Sequence, residues 1–137
     1  MGGGWDRQKR TITEPALRRI AKLADGWFTH LPPNEDGRAG METFRRFVRE
    51  AGRDPLRFSL MIGCVVARDE SELRVRLAQF KDISGQDEPP ISGTVDQVVA
   101  KLREYEQVGV ERVMLQHLVH EDVEMVNVLG DVAARLG

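Results

Sequence analysis

The longest apolar run in the sequence, Leu56 to Ala67, limits most sharply what the chain can become. It is rich in Val and Ile and nearly free of charge, so it predicts a strand covered on both faces, as in a parallel sheet. Its flanks agree. Gly52-Arg53-Asp54-Pro55 closes a helix before it, and Asp69 with Glu72 three residues later makes a capping-box pattern after it. A strand entered from one helix and left into another implies a right-handed βαβ crossover.

The remaining segments repeat this alternation. Thr13-Glu14-Pro15 opens a helix with Leu17, Ile20, Ala21 and Ala24 on one face and Arg18, Arg19 and Lys22 on the other. Asp25 to Thr29 predicts a short strand, ended before Pro32-Pro33. Met41, Phe44, Phe47, Val48 and Ala51 repeat with helical period. Ser84 to Gly93 reads as a loop that closes on a second capping pair, Thr94 and Gln97, ahead of a helix carrying Val95, Val98, Val99, Leu102 and Tyr105. Gly109 stops that helix, and Val110 to Gln116 predicts a strand. From Asp122 a last helix is expected to pack through Met125, Val126, Leu129, Ala133 and Leu136. Trp5 to Ile12 reads as a polar, basic stretch.

Three strands are legible, whereas a closed (β/α)₈ barrel needs about 250 residues. Met1 followed at once by three glycines reads as the end of a strand running into a strand-to-helix loop. The expected class is therefore α/β, with a parallel sheet that is incomplete. About three parallel strands with flanking helices would make one domain over residues 1–137.

Charge and composition narrow the partners. Twenty Lys and Arg stand against 22 Asp and Glu, a formal charge of −2, which leaves no cationic excess for a nucleic-acid backbone or an anionic membrane. No segment has the length of a membrane span or the layout of a signal peptide, so the expected compartment is the cytoplasm. Cys64, the single cysteine, lies inside the apolar run and reads as a small packing residue.

Five pieces then occur in a fixed order: Met1-Gly2-Gly3-Gly4; Pro15 to Phe28 with Ala24-Asp25-Gly26-Trp27; Ala51-Gly52-Arg53-Asp54-Pro55; Gly93 to Val98 with Leu102-Arg103-Glu104-Tyr105; and Gly109 to Val113. Together they resemble the luciferase-like monooxygenase superfamily of flavin- or F420-dependent oxidoreductases, from the end of the fifth barrel strand to the terminal helix, and the resemblance implies a partial (β/α)₈ barrel, its C-terminal half. The resemblance implies FMN or F420 as cofactor, and the cofactor carries the redox chemistry while the protein positions it. Trp5 to Thr13 is longer than the short link usual there.

A glycine turn leading to a helix N-terminus leaves backbone N–H groups open to an anion. By resemblance, Gly2, Gly3 and Gly4 hold the cofactor phosphate; from the residues alone they could equally be a tail. Thr29 ends a strand on the barrel face where sites are built, and its hydroxyl is expected either to bind the same phosphate or to bond locally in a turn. Arg7, Lys9 and Arg10 would add positive charge there or simply be solvated. His30 and His117 also follow strand ends and are the candidates for facing substrate or handling a proton, against a surface or capping role. Trp27 reads as packing. His117 and His120 have metal-like spacing but lack a third ligand, so no metal is expected. No catalytic triad, Cys-His pair, P-loop or carboxylate pair is recognisable, and no catalytic residue is assigned. The expected partners are a flavin-type cofactor and a second chain, either another copy or an N-terminal half-barrel. The alternative is a non-catalytic half-barrel, a subunit or truncated remnant, that self-associates or pairs with such a half.

Overall fold

The computed structural model describes Trp5, Asp6, Gln8 and residues 11–137. Gly2, Gly3 and Gly4, together with Arg7, Lys9 and Arg10, lie outside the described residues. In chain order the elements are β1 (Trp5–Asp6), β2 (Thr11–Ile12), α1 (Glu14–Leu23), β3 (Gly26–Phe28), α2 (Glu35–Glu50), β4 (Arg57–Ala67), α3 (Glu70–Ser84), β5 (Ile91–Thr94), α4 (Val95–Gln107), β6 (Arg112–Gln116) and α5 (Val123–Leu136).

The apolar run becomes β4, the strand to which the other three of a four-stranded sheet attach. β3 pairs with its start in parallel, Gly26 opposite Arg57 and Phe28 opposite Ser59. β5 pairs in parallel with its end, Cys64 opposite Ile91 and Ala67 opposite Thr94. β6 also pairs with β4. The sheet has four strands where about three were expected. β5 fell inside the expected loop because Ile91-Ser92-Gly93-Thr94 is brief, follows two prolines and includes a glycine at φ 147°. Trp5–Asp6 and Thr11–Ile12, expected to be a polar stretch without strands, pair antiparallel with Trp5 opposite Ile12.

The described residues form two compact units. The first takes the chain up to Met61 plus Glu104–Met114, and the second takes Ile62–Arg103 plus Leu115–Gly137. In the first, Leu17, Ile20 and Ala21 of α1 and Met41, Phe44, Phe47 and Val48 of α2 are buried with Trp27 and Phe58. α2 starts well before Met41. The Asn34 side chain caps it by accepting from the N–H groups of Asp36 at 3.0 Å and Gly37 at 3.3 Å. Its first turn contains Gly37, where a Cβ would stand 1.8 Å from the Pro32 carbonyl oxygen, so close approach of the Pro32-Pro33 segment needs a glycine there. That polar opening carries no apolar period to read. α2 ends at Gly52, φ 68°, as its sequence suggested. Arg53 then donates to the terminal carbonyls of α1, at Ala21 and Ala24.

In the second unit Val65, Ala67, Leu73, Phe80 and Val119 form a core against which Leu77 and Leu118 pack. The first capping box is complete, and of the second only the return bond from Gln97 forms. Asp69 accepts from Glu72 N–H at 2.9 Å while Glu72 reaches back to Arg68 N–H at 2.7 Å, and Gln97 accepts from Thr94 N–H at 2.8 Å. The packed face of α5 is corrected: Met125, Val128 and Val132 are buried, whereas Val126 is 55% exposed and Ala133 is exposed. Two apolar stripes of helical period run along this helix, and periodicity alone does not choose between them.

Candidate functional site

In a parallel sheet the carboxyl ends of the strands are where ligands are held. Thr29 stands there, immediately after β3. Its N–H donates to Ser59 O at 3.4 Å, continuing the β3–β4 ladder by one residue. The residue is only 8% exposed, yet its hydroxyl bonds to none of the described residues. A local turn bond, the competing expectation for Thr29, is absent among the described residues. His30 follows, half-buried. The glycines expected beside Thr29 lie outside the described residues, and Trp27 is turned away into packing, its ring centroid 4.3 Å from that of Phe44 and 5.0 Å from that of Phe58.

The second unit has its own strand-end histidine. His117 follows β6, and its Nε2 lies 3.0 Å from the Asp122 carbonyl oxygen. A carbonyl only accepts, so Nε2 carries the proton and Nδ1 is left as a lone-pair acceptor. That Nδ1 is buried and has no partner among the described residues. The His120 ring stands edge-on to it at 6.4 Å. Among the described residues no three His, Cys, Asp or Glu side chains converge on a metal position.

The same loop is fixed by an ion network that apolar periodicity does not reveal. Arg76 is buried on the packed face of α3 between Leu73 and Phe80. Its guanidinium donates to Asp122 Oδ2 at 2.6 Å and to the Val66 carbonyl at 3.0 Å, and meets Glu72 Oε1 at 2.9 Å. Asp122 in turn caps α5 by accepting from Met125 N–H at 3.0 Å. The Arg76 hydrogen bond, helped by the Met125 N–H, holds the Asp122 carboxyl below the usual carboxylate range. The one signal in the sequence was an arginine at i+3 from Leu73 and i−4 from Phe80. Cys64 is a buried free thiol, and burial pushes it up to about 12, which favours the protonated form.

Helices thus alternate with the strands of a sheet centred on β4, and the loops at the strand ends carry the polar residues with unused hydrogen-bonding capacity. This is the class of partial (β/α)₈ barrels. Residues 11–90 match the family model of the luciferase-like monooxygenases, and the chain belongs to that family. No curated protein sequence matches it. Among solved structures it is similar to the coenzyme F420 dependent tetrahydromethanopterin reductase from Methanopyrus kandleri, with TM-score 0.59, 17% identity, and 86% of this chain aligned to 44% of that one. It is also similar to the monooxygenase RslO1 from Streptomyces bottropensis, with TM-score 0.61, 18% identity, and 87% of this chain aligned to 44% of that one. An F420-dependent secondary alcohol dehydrogenase in complex with an F420-acetone adduct aligns with TM-score 0.56 and 13% identity over 75% of this chain and 40% of that one. At these identities the likeness establishes the fold, and the chain spans less than half the length of each structure.

Proposed function

We propose that this chain supplies the cofactor-phosphate side of a flavin- or F420-dependent oxidoreductase barrel. One observation carries the reading. Thr29, a residue only 8% exposed, stands at the carboxyl end of a parallel strand in a chain of this family, and its hydroxyl has no hydrogen-bond partner among the described residues. Its Oγ–H is suited to donate to a phosphate oxygen, with Gly2, Gly3 and Gly4 offering backbone N–H groups to the same anion. Bound FMN or F420 would supply the hydride or oxygen chemistry. His30 in the first unit and His117 in the second are assigned as candidates to face substrate, and the Nδ1 of His117, without a partner among the described residues, can accept a hydrogen bond. Among the described residues no helix is long and apolar enough to cross a membrane, and we place the protein in the cytoplasm.

The test is a titration of the chain with FMN and with F420, alone and together with the N-terminal half of a family member. Saturable binding of one of the two is expected once the complementary half is present. Thr29→Val should weaken that binding by about 1.5–3 kcal/mol, the worth of a hydrogen bond to a charged group. An unchanged affinity would return Thr29 to a packing role.

A second reading, a non-catalytic half-barrel that pairs with another chain, is favoured by apolar side chains left in solvent. Leu23 is 64%, Met61 37% and Met114 43% exposed in the first unit, and Val123 69% in the second. Light scattering during size exclusion should therefore give a mass above the 15.5 kDa of one chain. A 15.5 kDa monomer that melts cooperatively would overturn both the pairing and the incomplete-barrel argument.

A further inference from the structure

The first unit has a concavity of about 940 Å³ whose polar wall is formed by Arg57 and Arg112, the opening residues of the neighbouring strands β4 and β6. Neither guanidinium meets a carboxylate or any other partner among the described residues, unlike Arg18, Arg46, Arg49 and Arg53 of the same unit, each 2.9–3.8 Å from an acid. The acids on the rim are otherwise engaged. Glu111 Oε1 accepts from Phe58 N–H at 3.4 Å, and Asp25 lies 3.7 Å from Arg53. Ser59 adds a hydroxyl with no partner among the described residues, and Phe28 and Met114 give the hollow apolar walls.

Two planar forks of N–H donors converging on one hollow, with a hydroxyl between apolar walls, match the oxygens of a carboxylate or phosphate. From this geometry we propose that the amino end of the sheet is a second oxyanion site, which takes a small dianion bearing carboxylate or phosphate oxygens. The oxyanion comes either from a free small molecule or from acidic side chains of a second copy of this chain.

Isothermal titration of the 137-residue chain with citrate and with inorganic phosphate at low salt tests the site directly. Saturable binding that weakens with added salt is expected. Arg57→Gln and Arg112→Gln should each lower the affinity at least tenfold by the loss of one charge-assisted pair, while Arg38→Gln leaves it unchanged. Sedimentation in parallel identifies the source: a dimer that dissociates on adding citrate, or in the Arg57→Gln/Arg112→Gln protein, assigns the oxyanion to a second copy and upholds the site. Binding that survives the double substitution, or no binding together with a mass that citrate and the double substitution leave unaltered, overturns the proposal.

Discussion

Replacing Asp122 with alanine is expected to lower the free energy of unfolding by about 3 kcal/mol in urea titrations at neutral pH, the low end of the range for breaking a buried ion pair. The side chains of Arg76 and Asp122 are only 5% and 17% exposed, so removing the carboxylate strands a guanidinium that has little water to turn to. Glu72 remains 2.9 Å away and holds the loss to the low end. The cap on α5 disappears at the same time. Asp122→Asn keeps an oxygen for Met125 N–H and should cost less. The dependence on pH has a definite sign. A carboxyl held below its unfolded value contributes stability above that value, about pH 3.9, and loses it as pH falls through the folded value. The wild-type and Asp122→Ala curves should therefore converge in acid and separate above about pH 4. A difference below about 1 kcal/mol at pH 7, no more than exposed pairs give, would mean that Glu72 alone satisfies the buried arginine.

This network also shows where the sequence stops being legible. β4 could be read because its fitness for a two-sided core is written in its own residues, and the expected Leu56–Ala67 differs from the observed Arg57–Ala67 by one position. The capping boxes at Asp69 and Gln97 were readable for the same reason, since each is a contact between residues three apart. What depends on distant partners was not. Arg76 is forty-six residues from Asp122, and its place on the Leu73–Phe80 face of the helix, which Arg74 does not share, says nothing of which acid it meets. β5 is a strand only because the end of β4 offers it an edge. Choosing between the two stripes of α5 likewise needed its neighbours. At the candidate site, the position of Thr29 at a strand end was readable from Gly26-Trp27-Phe28 and the prolines beyond. That its hydroxyl has no partner among the described residues was not, because that is a statement about its surroundings.

Trp27→Ala is expected to be the most damaging substitution in the first unit, costing about 3–5 kcal/mol, the usual loss for truncating a buried Trp. Trp27 is 1% exposed, and its ring is tilted by 40° to Phe44 and by 51° to Phe58, which themselves are 1% exposed. It therefore joins β3, α2 and β4 through one aromatic cluster. The helices on either side of that cluster have no other side chain of its size to fill the space, so the cavity would persist rather than collapse. Trp27→Phe keeps the ring contacts and should cost less than half as much. The two substitutions also separate packing from ligand stacking. If Trp27 serves the core, both variants lose stability in urea unfolding in proportion to volume removed, and Trp27→Phe retains cofactor binding in the complemented barrel. A Trp27→Phe protein with unaltered stability and lost binding would instead place this ring against the cofactor, contrary to its position between Phe44 and Phe58.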